Sequence, residues 1–358
     1  MIEKKRGVMS WVADLMNPYR WITTVRNVMF DLNTIKSHEF PLPTICIGNI
    51  SAGGTGKTLH TEFLIELLKE KHRLAVLSRG YGRKSKGYIK ADAATAMPQI
   101  GDEPFQIKNK FPEITVAVCE KRVTGIERLV AEDKSIEAIL LDDAYQHRHV
   151  KAGLNILLID SNRPIWQDRV LPFGRLRESI AGIRRADVVI MTKCKSLSAE
   201  ETRWCRSYIK GWKDIPVFFS RMRYGKCYPI FTGAAPFEQI RPQQEVLVVT
   251  GIANPAPLRE EIEKCGAKVT MMKFGDHHNF TQGDIAAIAE VFSSIESNEK
   301  IIITTEKDAT RLLQRNDIPP SIKERTYALP IKVEILEGEE KMFNQIIESY
   351  VTENSRNS

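Results

Sequence analysis

The sequence predicts an α/β protein with a doubly wound, mostly parallel sheet, a second and smaller α/β domain, and an amphipathic helix near the N terminus. Two patterns support this prediction. Short apolar runs alternate with helical stretches from residue 42 onward, and the apolar residues before that point recur at helical spacing. Buried strands separated by helices are typical of parallel sheets that carry helices on both faces.

Length and composition exclude several classes of protein. The chain has 358 residues, a formal net charge of +7 and 42% hydrophobic residues, so we expect neither a disordered nor a fibrous protein. This length predicts about two domains. The sequence contains no apolar run of transmembrane length and no secretory signal pattern. Its six cysteines form no Cys-x-x-Cys pair, which favours a reducing compartment.

Residues 1–42 are predicted to contain the amphipathic helix, preceded by the basic cluster Lys4–Arg6. The apolar residues that share one face of this helix are Trp21, Ile22, Val25, Val28, Met29 and Leu32. A helix with tryptophan on its apolar face and basic flanks can lie in a membrane interface. The same pattern also fits a helix that packs on the protein's own core, and these residues alone leave both interpretations open.

Residues 43–215 are predicted to form the first α/β domain, 216–232 a linker, and 233–358 the second domain. In the first domain the predicted strands are Thr44–Gly48, Leu74–Ser78, Thr115–Cys119, Ala138–Leu141, Asn155–Ile159 and Val188–Met191, with helices at Thr58–Lys71 and Val123–Glu132. In the second domain the predicted elements are strands at Val246–Thr250 and Ile301–Thr304 and helices at Pro257–Cys265, Gln282–Ser294 and Met342–Val351.

A phosphate-binding loop is predicted between the first strand and the first helix of this domain. Its residues are Ser51, Ala52, Gly53, Gly54, Thr55, Gly56, Lys57 and Thr58. The strand before it and the helix after it are the context that a P-loop requires. The glycines let backbone amides turn toward phosphate oxygens, Lys57 can reach the β- and γ-phosphates, and the Thr58 hydroxyl can ligate Mg²⁺. Although Ser51 replaces the glycine of the strict pattern, we predict a P-loop NTPase-like domain that binds a nucleotide.

A strand that ends in two aspartates is predicted to supply carboxylates for the metal. Asp142 and Asp143 follow the apolar run that begins at Ala138. Such a Walker B arrangement places a carboxylate on Mg²⁺, or on its waters, at the carboxyl end of the strand.

A P-loop identifies a phosphate grip but not a substrate, so three classes remain: a GTPase switch, an ATPase motor or partitioning protein, and a kinase of a small molecule or lipid. The segment Thr192–Lys195 stands at a strand end where GTPases carry Asn-Lys-x-Asp, but it lacks both the asparagine and the aspartate. Ala52 stands where partitioning ATPases carry a lysine. The first two classes therefore lose support.

Seven short motifs, taken in order, resemble those of the tetraacyldisaccharide 4′-kinases of lipid A biosynthesis. The motifs are Ser51–Thr58, Leu77–Arg83, Gly101–Pro104, Asp142–His147, Leu171–Glu178, Phe274–His278 and Thr305–Asp308, within a resemblance that runs from about Trp11 to Leu313. The sequence departs from the family pattern at Leu59, at Ala144 and Tyr145, and at Arg175. None of these departures replaces a group that the chemistry needs.

The resemblance implies a kinase that transfers the γ-phosphoryl group of ATP to the 4′-hydroxyl of a tetraacyldisaccharide 1-phosphate, with Mg²⁺ as cofactor. It implies a peripheral enzyme on the cytoplasmic side of the bacterial inner membrane. Because such a substrate stays in the bilayer, the resemblance also favours the membrane role for the N-terminal helix. We expect a monomer.

The resemblance assigns roles to residues outside the loop. Asp102 is the candidate catalytic base, and His277 is its expected partner from the second domain, which would then close over the site. The candidate metal ligands beside Thr58 are Asp142, Asp143 and Glu178. The candidate substrate contacts are Arg79, Tyr81, Glu103 and Arg177.

Two alternatives of other kinds remain. A membrane-associated P-loop ATPase acting on protein partners would explain the loop and the helix, but not the Gly101–Pro104 and Phe274–His278 motifs. A kinase of another lipid or sugar fits the same motifs. A nucleic-acid-binding ATPase is disfavoured because the basic residues are scattered and form no aromatic-interleaved stripe.

Overall fold

The computed structural model describes residues 17–276 and 278–355, and the chain divides into two compact units. The first unit contains residues up to Met222 and again from Val333, and the second contains Arg223–Lys332. These limits differ from the domain boundaries predicted from the sequence, which assign everything after residue 233 to the second domain. The chain returns to the first unit because its last strand and last helix bury apolar side chains there, among them Phe343 and Ile347.

Helix α1 spans Pro18–Asp31 and begins with a local cap. The Asn17 side-chain oxygen accepts a hydrogen bond from the Arg20 amide at 3.2 Å, and Pro18 occupies the first helical position, where its missing N–H leaves no bond unmade. The predicted apolar face is present but exposed: Trp21 is 59% exposed and Ile22 is 68% exposed. The described part of the chain therefore does not cover this face, which favours the membrane interpretation over packing on the protein's own core.

Within the described residues, nine strands of the first unit form one sheet. They are β1 (Thr44–Gly48), β2 (Leu74–Ser78), β3 (Ile89–Lys90), β4 (Thr115–Val118), β5 (Ala138–Asp142), β6 (Leu154–Asp160), β7 (Val188–Thr192), β8 (Val217–Tyr224) and β14 (Ile331–Ile335). Their order is β14-β8-β7-β6-β1-β5-β2-β4-β3. Neighbours from β8 to β4 pair in parallel, and β3 pairs antiparallel to β4. The predicted doubly wound, mostly parallel sheet is thus confirmed.

Two buried apolar clusters lie on the two faces of this sheet. Cys46 belongs to one cluster, whereas Ile45 and Ile47 belong to the other, as the alternation of side chains along a strand requires. The helices of the unit beside α1 are α2 (Lys57–Leu68), α3 (Met97–Ile100), α4 (Asp102–Lys110), α5 (Arg122–Glu132), α6 (Ala199–Lys210) and α11 (Glu340–Asn354), with 3₁₀ turns at Ile165–Gln167 and Ile180–Arg185.

The second unit is a smaller α/β fold with its own core. Its strands are β9 (Tyr228–Pro229), β10 (Glu245–Thr250), β11 (Lys268–Lys273), β12 (Ile301–Thr305) and β13 (Thr326–Leu329), in the order β11-β10-β12-β13-β9. Its helices are α7 (Ala256–Lys264), α8 (Gln282–Ser294), α9 (Glu306–Leu312) and α10 (Pro320–Lys323). No helix in either described range of the chain is long and apolar enough to cross a bilayer.

The topology gathers the predicted site at one edge of the first sheet. Strands β1, β5 and β2 are neighbours, and the carboxyl ends of parallel strands meet at the same edge. The phosphate loop follows β1, and the segment Arg79–Tyr81 follows β2. Asp142 is the last residue of β5, and Asp143 follows it directly.

Candidate active site

The phosphate loop lies between β1 and α2. Gly56 precedes the helix with a φ of 87°, in the left-handed region that favours glycine. A Cβ on Gly56 would also lie 2.5 Å from the Met222 side chain. At the tip of the loop, Gly53 and Gly54 are exposed and have open space around them, so their backbone groups are accessible to a ligand.

Side chains at the ends of β6 and β7 hold one side of the loop. The Thr192 hydroxyl donates a hydrogen bond to the Thr55 carbonyl at 3.0 Å. The Lys193 ammonium donates to the Gly54 carbonyl and lies 2.7 Å from an Asp160 oxygen. From the sequence, Lys193 could be compared only with an absent guanine-reading motif, although its place at the end of a strand was the signal for this contact.

The segment that ends in Glu178 holds the other side of the loop. The Ala52 amide donates to the Arg175 carbonyl at 2.6 Å, and the Arg177 amide donates to the Ile50 carbonyl at 2.7 Å. The family-pattern motif at 171–178 therefore lies directly against the phosphate loop, and its backbone fixes the loop in place.

Lys57, Asp143 and Arg177 form a charged group beside the loop. The Lys57 ammonium lies 3.5 Å from an Asp143 oxygen, and Arg177 Nη1 donates to the two oxygens of Asp143 at 3.1 and 3.3 Å. Asp143 adopts a φ of 47°, which is uncommon for a residue other than glycine. Two cations are thus held on one carboxylate at the position where phosphate charge is expected.

Asp142 is buried beneath this group. Its oxygens accept hydrogen bonds from Thr61 and Ser78, each at 3.3 Å. Burial, together with the neighbouring carboxylates of Glu103 and Asp143, raises the pKa of Asp142 to about 7 against the opposing effects of Lys57 and Arg122. Carboxylate and hydroxyl oxygens are the donors that suit Mg²⁺, so the side chains of Thr58, Asp142 and Asp143 fit that ion by their chemistry.

Helix α4 brings Asp102 and Glu103 to the same edge. Asp102 opens the helix directly after Gly101, whose φ is 90°. A Cβ on Gly101 would lie 2.8 Å from the Tyr81 carbonyl, so the loop after β2 and the start of α4 are in close backbone contact. From this helix the Glu103 carboxylate contributes to raising the pKa of Asp142.

Arg79 and Tyr81 extend from the edge into solvent. Arg79 is exposed and Tyr81 is 88% exposed, so both side chains are accessible to a large substrate. The structure does not link either of them to the phosphate loop by a hydrogen bond among the described residues.

Glu178 is placed differently from the other metal-ligand candidates. It is 3% exposed, and its carboxylate accepts hydrogen bonds from Asn27 at 2.8 Å, Gln146 at 3.0 Å and Arg185 at 2.7 Å. Both oxygens are therefore already occupied by donors from the protein. These three partners could not be predicted from the sequence, because they come from distant parts of the chain.

Two further residues near the aspartates were missed or left without a role. Arg122 is buried with its guanidinium 3.5 Å from the Asp142 carbonyl, and burial lowers its pKa to about 10. Burial also lowers the pKa of His147 to about 4, with nearby Arg122 and Arg79 acting in the same direction, so this imidazole is neutral at pH 7.

Two cavities of the first unit have different characters. A cleft of about 280 Å³ opens beside the phosphate loop and is lined by Gly54, Asp160 and Lys193 among others. A larger cavity of about 1070 Å³ lies beside the end of α1 and the start of β1. Its three cations each pair with a carboxylate: Arg148 with Asp31, Lys151 with Glu39 and Arg185 with Glu178.

The candidates of the second unit lie in two motifs. His277 falls outside the described residues. His278 stacks on Phe274 and bonds Asp284 at 2.8 Å. The buried Asp308 carboxylate accepts hydrogen bonds from the Thr250 hydroxyl at 2.9 Å and the Gly251 amide at 3.0 Å. The motif at 305–308 thus fixes the end of β10.

Comparisons with known proteins agree with this geometry. The sequence model of the tetraacyldisaccharide-1-P 4′-kinase (LpxK) family matches residues 9–352. A tetraacyldisaccharide 4′-kinase of Bacteroides thetaiotaomicron is 44% identical over 97% of this chain and 94% of its own length, and one of Flavobacterium psychrophilum is 40% identical over 95% and 96%. The crystal structure of LpxK from Aquifex aeolicus in complex with ATP has 29% identity and a TM-score of 0.73, covering 96% of this chain and 100% of that one. The chain therefore belongs to the tetraacyldisaccharide 4′-kinase family.

Proposed function

We propose that this chain is a tetraacyldisaccharide 4′-kinase, which transfers the γ-phosphoryl group of ATP to the 4′-hydroxyl of a tetraacyldisaccharide 1-phosphate. The family match over nearly the whole chain carries this proposal. It agrees with a glycine-rich loop held rigidly on both sides and flanked by Lys57 and paired aspartates. The related LpxK from Aquifex aeolicus is described as a complex with ATP.

The chain's own groups would act chiefly by positioning and charge neutralisation, which dominate phosphoryl transfer. The backbone of Gly53–Thr58 would bind the phosphates, and Lys57 would neutralise the charge that develops on the transferred group. Arg177 holds Asp143 at 3.1 Å and would keep that carboxylate directed toward the phosphate side. Mg²⁺, held by Thr58, Asp142 and Asp143, would neutralise phosphate charge when bound.

Asp102 is our proposed base for the acceptor hydroxyl. It stands at the first position of α4, near Glu103 and the exposed segment Arg79–Tyr81, where an acceptor can approach from solvent. A carboxylate that accepts or orients the hydroxyl proton is a recurring part of kinase sites. We further propose that His277 tunes this carboxylate, and a His277→Ala variant should then change the pH profile of kcat.

The exposed face of α1 supports a peripheral membrane position on the cytoplasmic side of the inner membrane. Its apolar side chains include Trp21, Ile22 and Leu32, and the proposed acceptor carries four acyl chains that stay in a bilayer. Tryptophan and aliphatic residues on one face of a helix favour the interface between headgroups and acyl chains. We also expect the protein to act as a monomer.

A radiolabel transfer assay tests the proposed function. Purified protein, Mg²⁺ and γ-labelled ATP are mixed with the acylated disaccharide 1-phosphate in detergent micelles. We expect label in the lipid with the wild-type protein and none with Lys57→Ala. Release of phosphate without labelled lipid would instead support an ATPase that acts on protein partners, and labelling of a different acceptor would support a kinase of another lipid or sugar.

A further inference from the structure

The side of α1 opposite its apolar face bonds directly to the residues around the nucleotide site. Three side chains of the helix make these contacts, and each bonds a residue that follows β5 or belongs to the motif ending in Glu178. The contacts are Tyr19 Oη to the Arg177 carbonyl at 3.1 Å, Arg26 Nη2 to the Gln146 carbonyl at 2.7 Å, and Asn27 Nδ2 to Glu178 Oε2 at 2.8 Å.

The contact of Asn27 continues inward to the phosphate loop. Glu178 is buried, and its other oxygen accepts from Gln146 Nε2 at 3.0 Å and from Arg185. The same Gln146 nitrogen donates to the Asn49 carbonyl at 2.7 Å. Hydrogen bonds to a charged and buried acceptor are stronger than neutral ones, so this chain of contacts resists displacement.

Asn49 in turn fixes the inside of the loop. It is fully buried, and its side-chain nitrogen donates to the Thr55 hydroxyl at 2.8 Å. A continuous path of hydrogen bonds therefore runs from Asn27 through Glu178 and Gln146 to the middle of the phosphate loop.

A second path reaches the charged group beside the loop. Tyr19 bonds the carbonyl of Arg177, and the guanidinium of Arg177 holds Asp143, which lies 3.5 Å from Lys57. Both paths start on α1, whose 14 residues form one continuous helix.

We propose that Asn27 and Glu178 are positioning residues of the kinase: they tie the membrane-facing helix to Gln146 and Asn49 and so hold the phosphate loop in the geometry needed for turnover. This inference rests on the proposed function. It also gives Glu178 a role other than metal ligand, because its two oxygens already accept three hydrogen bonds from Asn27, Gln146 and Arg185. A small misplacement of a reacting group costs a kinase far more in rate than in substrate binding.

The test compares Asn27→Ala with Thr24→Ala, a matched change on the solvent side of the same helix, where Thr24 is exposed. Both full-length variants are assayed in micelles of the acylated disaccharide 1-phosphate. We expect Asn27→Ala to lower kcat about tenfold, in line with the loss of a hydrogen bond to a buried charge. The KM for ATP, the melting temperature and sedimentation with vesicles should stay close to those of Thr24→Ala.

Glu178→Gln separates positioning from metal binding. The glutamine keeps the size of the side chain and one acceptor oxygen, and its amide can donate to the Asn27 oxygen, which is buried without a partner. We expect a kcat between those of wild type and Glu178→Ala, with an unchanged Mg²⁺ concentration for half-maximal activity. A rise of about tenfold or more in that concentration would identify Glu178 as a metal ligand and overturn the inference.

Equal kcat values for Asn27→Ala and Thr24→Ala would also overturn it. If Asn27→Ala does not fold, Tyr19→Phe removes a single hydroxyl from the second path and should lower kcat a few-fold without affecting the fold; a wild-type kcat there would contradict the proposal. Wild-type protein that labels no lipid would instead contradict the proposed function, so the two failures are distinguishable.

Discussion

Helices α1 and α2 have similar lengths and both border the candidate site, yet they use their apolar residues in opposite ways. Helix α2 buries Leu64, Ile65 and Leu68 against the sheet. Helix α1 exposes Trp21 and Ile22 and turns its polar side toward the protein. Periodicity therefore identifies which residues share a face, but the surrounding fold decides whether that face meets the core or the solvent.

The two helices also hold polar groups for different purposes. In α2 the nearly buried Glu62 pairs with Lys110 at 2.6 Å and accepts from Gln106 at 2.7 Å, which fixes α4 and thus the position of Asp102. In α1 the polar contacts reach the phosphate loop through side chains and carbonyls. The polar contacts of α2 thus position the helix that carries Asp102, whereas those of α1 support the phosphate loop.

Lys57→Ala should have the largest effect, because it removes the cation that we propose α2 places on the phosphates. We expect a loss of about 10³-fold or more in kcat, comparable to the removal of a principal charge-stabilising group. Lys69→Ala, at the other end of the same helix, removes an ammonium that pairs with Glu113 at 2.9 Å and should leave kcat unchanged. Comparable activity of the two variants would contradict the assignment of the loop.

Asp102→Asn should have the next largest effect. The asparagine keeps the shape of the side chain but cannot accept the hydroxyl proton, so kcat should fall about 10²- to 10⁴-fold. ATP affinity, measured by a fluorescent analogue, should change little. A variant that loses ATP affinity but keeps its kcat would show that Asp102 serves nucleotide binding instead.

Lys110→Ala tests the polar contact between α2 and α4. It removes the ammonium that pairs with the buried Glu62 carboxylate, and we expect a loss of about 2–3 kcal/mol in the free energy of unfolding. The exposed pair broken by Lys69→Ala should contribute less than about 1 kcal/mol. Urea unfolding of both variants measures the difference. Equal losses of unfolding free energy would mean that the buried Glu62 pair stabilises the fold no more than the exposed pair does.

The double change Trp21→Ser with Ile22→Ser should have the smallest effect on the folded protein. These side chains are exposed, so stability should change by less than about 0.5 kcal/mol. Sedimentation with phospholipid vesicles should fall about tenfold, because the apolar area available to the interface is reduced. Leu68→Ser in α2 is the opposite case and should destabilise the fold. Unchanged vesicle binding of the double variant would refute the membrane role of α1.

The sequence was sufficient for the features that depend on local pattern. Six strands of the first sheet (β1, β2, β4, β5, β6 and β7), the phosphate loop and the position of Asp142 at a strand end follow from short apolar runs and a glycine-rich turn. Strands β3 and β14 were not predicted, and β8 lies in the segment predicted as a linker, 216–232. The loop and the aspartate lie at the same edge of the sheet because parallel strands place their carboxyl ends together. Such features involve residues that are close in the chain.

The features that could not be predicted depend on long-range packing. The donors to Glu178 come from residues 27, 146 and 185, and no local sequence pattern predicts that these residues contact one another. The hydrogen bond from Lys193 to the Gly54 carbonyl likewise joins residues that are far apart in the sequence. The return of the chain at Val333 was missed because an apolar strand and helix fit either core equally well on sequence alone.

The interrupted first unit has a consequence for how the protein is made. Strand β1 borders the last helix, where the Thr44 amide donates to the Tyr350 hydroxyl at 3.2 Å and Val351 is buried. On a ribosome, the phosphate-loop region is complete in sequence long before this helix exists, because Arg223–Lys332 must be synthesised first. At about 5–20 residues per second, the wait is roughly 10 s. During that time the nascent chain carries an open hydrophobic face that a chaperone can bind, and the synthesis of the helix at Glu340–Asn354, not the emergence of the loop, sets the moment at which the nucleotide site can mature.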